Sequence, residues 1–262
     1  MPQSFTTAAL QTLFTYPFKA PNWKNKFLTG SLVMLASYVI PIVPGIFVYG
    51  YLVQIMRRII VEGGEPFLPE WDDWDKLFKD GLKLGGVGFI YTLPMLLLLL
   101  MGYGLFFMAI FIPLILAEAS NEPPSDILAL TSVGGSLGGI VFFGLGMILA
   151  LITFAFLPVA IGHVLATDEF AAAFRLAELW AIFRANLAGF LVAYALLLGF
   201  GIVLSFFLQL LFLTIIFCCI YPIVLAPITV YIMVIWSVMF AQAYRDGVQK
   251  LRLQTVASPP AP

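Results

Sequence analysis

Long apolar segments alternate with short polar segments along this chain. Five apolar blocks can be delimited, at 27–60, 84–117, 133–166, 187–213 and 217–243. A membrane-spanning helix needs roughly 20 apolar residues, so every block is long enough to cross a bilayer. The last two blocks are each one span. The second and third are longer than one span needs, which indicates tilting, kinking or extension beyond the bilayer.

The first block contains a break that predicts a hairpin. Lysines precede the block and an arginine pair ends it, so a single crossing would place basic clusters on both sides of the membrane. Pro41, Pro44 and Gly45 interrupt its middle and are helix-breaking residues. We therefore predict two short arms, 27–40 and 46–60, joined by a turn at the prolines. A re-entrant hairpin is the alternative.

The positions of the basic residues predict the topology. No lysine or arginine occurs between Lys83 and Arg175, and the loop 118–126 contains three acids and no base. Because cytoplasmic loops are enriched in lysine and arginine, we expect 57–83 and 175–184 in the cytoplasm. The acidic loop then faces outward. The result is about six spans with both termini in the cytoplasm.

Composition agrees with a membrane protein. The chain has 262 residues, of which 62% are hydrophobic and 10% are charged, and soluble domains contain roughly 25% charged residues. A net charge of −1 gives no reason to expect nucleic acid as a partner. We find no signal-peptide pattern and no catalytic, cofactor or metal-binding motif, so we expect no cofactor. The adjacent Cys218 and Cys219 lie in an apolar block, where we expect simple packing.

Amphipathic segments precede the apolar blocks and predict two or three helices on the cytoplasmic interface. They cover 4–16, 71–83 and 168–186, and the second of them begins after Pro69 with acids in its first turn. Tryptophans and basic side chains are typical of headgroup depth. The residues expected to anchor the protein at the interface are Trp23, Lys24, Lys26, Trp71, Trp74, Phe78, Lys79, Lys83, Trp180 and Arg184.

The amphipathic segments also suggest a weak threefold repeat of one interfacial helix followed by a helical pair. The repeats would cover 4–60, 68–166 and 167–245 within a single integral membrane domain, 1–250. A flexible cytoplasmic tail would follow at 251–262. Chance similarity among segments that enter a membrane is the alternative explanation.

Glycines form a candidate packing face in the third block. Gly135, Gly139 and Gly146 share one side of a helix with Ala150. Small residues allow membrane helices to approach closely. We expect this face to pack within the bundle, with a subunit interface as the alternative.

Ionisable residues are almost absent from the predicted spans. Ion-coupled transporters usually keep such residues inside the membrane, so their scarcity argues against proton- or sodium-coupled transport and against an intramembrane hydrolase. His163, the only histidine, lies near the end of a block without a second imidazole or a cysteine nearby. It is therefore not a metal site by spacing, and we expect packing or a hydrogen bond.

A family resemblance covers nearly the whole chain. It is carried by Gly50-Tyr51, Arg57-Arg58, Leu68-Pro69-Glu70-Trp71-Asp72-Asp73, Leu157-Pro158 and Asp168-Glu169-Phe170. These segments resemble the prokaryotic membrane-protein family called domain of unknown function 4013. The resemblance implies a polytopic bacterial or archaeal membrane protein and no particular activity. In layout, the chain is also similar to the membrane domains fused to some glycerophosphodiester phosphodiesterases.

Together these patterns favour an all-α helix bundle in a prokaryotic cell membrane, with an internal, thylakoid-type membrane as the alternative location. We expect a non-enzymatic protein that packs against partner subunits or a second copy of itself, or that organises lipid. A transporter or lipid-handling protein with a groove between helical pairs is the alternative. An enzyme acting at the interface through Asp72, Asp73 or His163 is a third hypothesis.

Overall fold

The helices of this protein follow the apolar blocks. A computed structural model describes residues 7–120, 125–212 and 221–257. Within those ranges the elements are α1 Thr7–Lys19, α2 Trp23–Ala36, α3 Val43–Ile60, α4 Trp74–Ser120, α5 Asp126–Thr167, a 3₁₀ helix Phe170–Phe174, α6 Leu176–Ala185, α7 Leu187–Phe212 and α8 Tyr221–Ala257. The predicted all-α class is confirmed.

Five of the described helices are long and apolar enough to cross a membrane. They cover Val43–Ile60, Trp74–Ala119, Asp126–Thr167, Leu187–Leu210 and Tyr221–Val256. The predicted polytopic bundle is therefore supported by helix length and composition. Helix α2 has 14 residues, about 21 Å at 1.5 Å per residue, and is too short to be a sixth such helix.

The predicted hairpin in the first block is present, with its break slightly earlier than expected. Helix α2 ends at Ala36 and α3 begins at Val43, so the chain turns before the second proline. Ile42, the residue before α3, has φ 75° and ψ −58°, and the Val43 N–H donates to the carbonyl of Pro41 at 2.9 Å, so a tight three-residue turn leads into α3. Pro44 lies in the first turn of α3 because a helix leaves its first N–H groups unpaired, and proline has none to lose.

The predicted interfacial segments have different outcomes. Helices α1 and α6 are separate short helices, whereas the segment before Leu84 forms the first turns of α4. No proline occurs between Trp74 and Pro94, so the helix continues into the apolar block. The predicted helix over 168–186 starts later than expected, because Asp168 has φ 58°, and it is divided at Arg175, whose ψ of 69° separates a 3₁₀ helix from α6.

Some predictions concern residues that are only partly described. Helix α8 continues to Ala257, so the first residues of the predicted tail 251–262 are helical. The cysteine pair at 218–219, the middle of the acidic loop, and the ends of the chain lie outside the described residues.

Two compact units divide the chain. Unit 1 consists of Met1–Val87 and Pro158–Pro262, and unit 2 consists of Gly88–Leu157. In unit 1, α8 contacts α2, α3, α6 and α7 and is the central helix. Its inward face supplies Val234, Val238 and Phe240, which are 1%, 0% and 1% exposed. Burial of such side chains stabilises a core by roughly 1.5–3 kcal/mol each when water is the alternative solvent.

Unit 2 consists of parts of α4 and α5 and buries very little. Among its described residues only Gly102, Gly139, Gly146 and Thr153 are buried. The Thr153 hydroxyl donates a hydrogen bond to the carbonyl of Tyr91, 3.3 Å away, one turn before a proline in α4. Hydroxyl contacts of this kind link membrane helices where a proline weakens the backbone ladder.

Candidate functional site

A buried lysine ties the start of α2 to the loop that follows α3. Lys26 is 6% exposed, and its Nζ donates to the carbonyl of Leu68 at 2.8 Å and to the Glu70 carboxylate at 2.7 Å. The Trp71 indole N–H donates to the carbonyl of Lys26 at 3.0 Å. The ammonium is therefore paired where it has lost water, which is the condition for burying a charge.

An aromatic stack holds the same loop against α3. The rings of Tyr51 and Trp71 are 4.3 Å apart with an interplanar angle of 6°. The Tyr51 hydroxyl donates to the carbonyl of Pro69 at 3.1 Å. Phe47 extends the cluster by contacting Trp74, with 5.5 Å between ring centroids. These contacts fix the Pro69-Glu70-Trp71 segment as part of the packed structure.

A second polar cluster surrounds the single histidine. His163 is 7% exposed, with Nδ1 2.9 Å from the Tyr244 hydroxyl and Nε2 2.9 Å from the Glu178 carboxylate. In the neutral tautomer with hydrogen on Nε2, the ring donates to Glu178 and accepts from Tyr244. Both nitrogens are then satisfied, and the end of α5 is joined to α6 and α8.

Asn186 joins the α6–α7 junction to α8. Its side chain is almost fully buried and donates to the carbonyl of Ala243 at 2.9 Å. Lys250 Nζ donates to the Asn186 side-chain oxygen at 2.6 Å. The close approach of the backbones is visible at Gly247, where an added Cβ would lie 2.9 Å from the carbonyl of Ile182.

An exposed ion pair joins the start of α4 to the residue after α5. Lys83 Nζ lies 2.7 Å from the Asp168 carboxylate and 2.6 Å from its carbonyl oxygen. The hydrogen bond and the charge of Lys83 lower the pKa of Asp168, with a smaller contribution from Arg57. Arg57 itself lies 3.5 Å from Asp80.

We call the hydrogen bonds and ion pairs of Lys26, Lys83, His163 and Asn186 the polar frame. They share one property, which is the part of the fold that they connect. Each lies in unit 1 and joins the two ends of a helical pair or a helical pair to α8. The polar frame therefore holds these helix ends together.

The residues predicted as interface anchors lie in three places. Lys26 and Trp71 come together across the first hairpin, and Lys83 pairs with Asp168. The others lie at helix starts and on α6. Trp23 is half-buried against Phe18, and the exposed members are Lys24, Trp74, Phe78, Lys79, Trp180 and Arg184.

Several buried or half-buried polar residues of unit 1 were not predicted from the sequence. Asn186, Tyr244 and Lys250 received no role, and Tyr51 was noted only for the family resemblance. Each is a polar or polar-tipped side chain next to an apolar block, which is a weak signal because surface residues look the same. Burial and partner distance identify them.

The predicted glycine face lies between α4 and α5 in unit 2. A Cβ added at Gly139 would lie 2.9 Å from the carbonyl oxygen of Gly102, and one at Gly146 would lie 2.8 Å from the Leu99 side chain. At Gly135 the nearest atom would be the Ala109 Cβ, 3.0 Å away. These distances leave little room for a side chain, so the contact that the glycines make here is within one chain.

Comparison with known proteins supplies a family. No curated protein and no solved structure matches the chain. The profile described as "Protein of unknown function (DUF4013)" matches residues 33–213, which include the Pro69-Glu70-Trp71 segment and His163. Because this match covers more than half of its length, the chain belongs to the DUF4013 family.

Proposed function

We propose that this protein is a non-enzymatic integral membrane protein of a prokaryotic cell membrane that organises lipid or packs against membrane subunits. The polar frame would keep its helix ends fixed, while its apolar helices would present an unusually large surface to the bilayer. Both termini would lie in the cytoplasm.

The observation that carries the proposal is the contrast in burial among the long helices. In their most apolar stretches, 6% of α4, 11% of α5 and 11% of α7 is buried, against 50% of α3 and 44% of α8. Soluble proteins rarely expose such continuous apolar surface. Lipid or another membrane subunit is the partner that suits it.

The predicted orientation is supported by the polar frame. Lys26 and Leu68 touch across the α2–α3 hairpin, and Lys83 and Asp168 touch across the α4–α5 hairpin. The distribution of basic residues alone predicts that the segments containing these residues lie in the cytoplasm or next to it. The two contacts favour the same side of the membrane for all four residues, whether or not the short α2 crosses the membrane.

The transporter alternative has less support. Two apolar crevices in unit 1 hold about 20 and 30 Å³, which is room for about one water molecule each, and a more open crevice in unit 2, beside Gly135, holds about 150 Å³. Pockets for small molecules usually measure about 300–1,000 Å³. Both ring nitrogens of His163 are hydrogen-bonded, to Tyr244 and Glu178, which supports the expected packing and hydrogen-bonding role of this residue.

Native mass spectrometry of the full chain, extracted together with its surrounding lipid, tests the proposal. We expect ions that retain bound lipid or a second subunit in fixed stoichiometry. A bare monomer that moves a solute across reconstituted vesicles would overturn the proposal in favour of transport.

A further inference from the structure

The apolar helix segments of unit 2 are longer than the hydrocarbon core of a typical bilayer is thick. Residues 88–117 of α4 and 127–157 of α5 contain no charged side chain. At 1.5 Å per residue each segment rises about 45 Å, whereas a typical hydrocarbon core measures roughly 30 Å. No proline interrupts the α5 segment. To fit such a core it would tilt by about 48°, beyond the roughly 0–40° observed for membrane helices.

Acidic residues mark the outer limit of both segments. Glu118 follows the apolar segment of α4, and Asp126 precedes that of α5. Both are exposed. A carboxylate at the centre of a bilayer is strongly unfavourable, so these two residues belong in water or among headgroups. The hydrocarbon core of the membrane therefore has to match the apolar length from these two acids to the opposite end of unit 2.

The apolar surface of unit 2 extends around its helices. Phe106, Phe107 and Met108 follow one another at intervals of about 100° around α4, and they are 44%, 53% and 60% exposed. On α5, Met147 and Ile148 are 47% and 57% exposed. A protein partner covers one face of a helix, while lipid covers every side. Apart from the glycine face that joins α4 to α5, the exposed apolar residues of α4 span about 200° of the helix, which is wider than one docked helix covers and favours lipid over a docked subunit.

We propose that unit 2 is matched to phospholipids with long acyl chains, whose hydrocarbon core is thicker than average. With tilts of about 20–40° a 45 Å segment fits a core of about 34–42 Å. This inference rests on the proposed membrane function and adds a lipid class to it. The α4–α5 hairpin would thereby favour thick regions of membrane and lose stability in thin ones.

The full chain reconstituted in phosphatidylcholine vesicles tests this inference. The vesicles would contain acyl chains of 14, 18 or 22 carbons with one double bond each, and circular dichroism would follow thermal unfolding. We expect the unfolding midpoint to be highest with 22 carbons, by about 4 °C or more over 14 carbons. A maximum at 14 or 18 carbons would overturn the inference and would leave lipid or subunit retention in native mass spectra unaffected.

A pair of lysine substitutions on α4 locates the membrane boundary. Leu97 is 52% exposed about a third of the way along the apolar segment 88–117, and Ile115 is 63% exposed near its outer end. We expect Leu97→Lys to lower the midpoint in all three vesicles. We expect Ile115→Lys to lower it with 22 carbons and to have little effect with 14 carbons, where that residue would stand outside the core. An equal loss from Ile115→Lys in every vesicle would contradict the proposal. Unfolding midpoints that depend on the protein-to-lipid ratio instead of on acyl-chain length would also contradict the proposal. They would indicate that a second copy of the protein covers the apolar surface.

Discussion

Trp71 lies flat against Tyr51, with 4.3 Å between the ring centroids, and its indole N–H reaches the carbonyl of Lys26 at 3.0 Å. One side chain therefore attaches the loop after α3 to both arms of the first hairpin. Because Trp71 is engaged in this way, its main role is structural even if the membrane interface is close.

Replacing Trp71 separates its two contributions. Trp71→Phe retains a ring on Tyr51 and loses the hydrogen bond, so we expect a loss of about 1 kcal/mol. Trp71→Leu also loses the stacked ring, worth roughly 0.5–1.5 kcal/mol beyond buried area. Trp180, which is 51% exposed, provides the matched control, and Trp180→Leu should have a smaller effect. Thermal unfolding in one detergent measures all three. A larger effect at Trp180 would contradict the structural role of Trp71.

Lys26 and Lys24 form a matched pair for testing the buried charge. Lys26→Met leaves the carbonyl of Leu68 and the Glu70 carboxylate without their donor, and we expect a loss of about 1–3 kcal/mol. Lys24 is exposed and lies over the Trp23 ring at 5.8 Å, so Lys24→Met should cost less than about 1 kcal/mol. Denaturation midpoints provide the comparison. Equal losses would show that pairing of the Lys26 ammonium does not stabilise the hairpin.

Two glycines on α5 distinguish packed from open positions. A Cβ added at Gly139 would lie 2.9 Å from the backbone of α4, whereas a Cβ added at Gly144 would have nothing within 4 Å. Gly139→Leu should therefore lower stability by about 1–3 kcal/mol through overpacking, and Gly144→Leu should be nearly neutral. The measurement is the thermal midpoint together with the oligomer mass. Loss of an assembly at an unchanged monomer midpoint would assign the glycine face to a subunit interface.

Much of the architecture could be predicted because membranes impose simple rules. Apolar length gave the long helices, and the combination of basic clusters with Pro41 and Pro44 gave the first hairpin. The glycine spacing indicated the residues that lie against α4, since close helix approach needs small side chains at helical intervals. These features depend on local sequence and on the bilayer.

The pairing of polar residues could not be predicted in this way. Lys26 and Lys24 look alike in sequence, yet only Lys26 is buried, because its partners come from a loop more than 40 residues away. The amphipathic pattern at the start of α4 changes at Leu84 and therefore predicts a separate helix there. A change of pattern does not end a helix without a backbone reason such as proline. Long-range contacts and helix continuity require coordinates.

Asp168 should make stability depend on acid. Lys83 lowers the folded-state pKa of this carboxyl, so its contribution is complete above the ordinary pKa near 3.8 and is lost as pH falls through the lowered value. Asp168→Asn removes the charge and still tolerates φ 58°. We expect the wild type to be more stable at pH 6, by a small and salt-sensitive amount because the carboxylate is exposed. The difference should shrink below about pH 4. A constant difference from pH 6 to pH 2 would contradict the ion-pair explanation.

The proposed orientation is tested by cysteine labelling of the full chain. A background with Cys218→Ser and Cys219→Ser removes the native thiols. Glu65 is a better reporter than Gly64 for the loop after α3, because a Cβ at Gly64 would lie 2.6 Å from the Arg58 side chain. Ser125, exposed at the start of α5, reports on the opposite loop. A membrane-impermeant maleimide should label Ser125→Cys in intact cells, and Glu65→Cys only after the membrane is opened.

The two reporters also test the first hairpin. If α2 and α3 enter and leave on one side, as the contact between Lys26 and Leu68 supports, a thiol at Lys24→Cys should behave like the one at Glu65→Cys. Lys24 is exposed and outside the polar frame, so its replacement should leave the structure intact. Labelling of Glu65→Cys from outside with Lys24→Cys protected would mean that the first block crosses the membrane once. In that case the hairpin assignment and the cytoplasmic position of the polar frame would both be wrong.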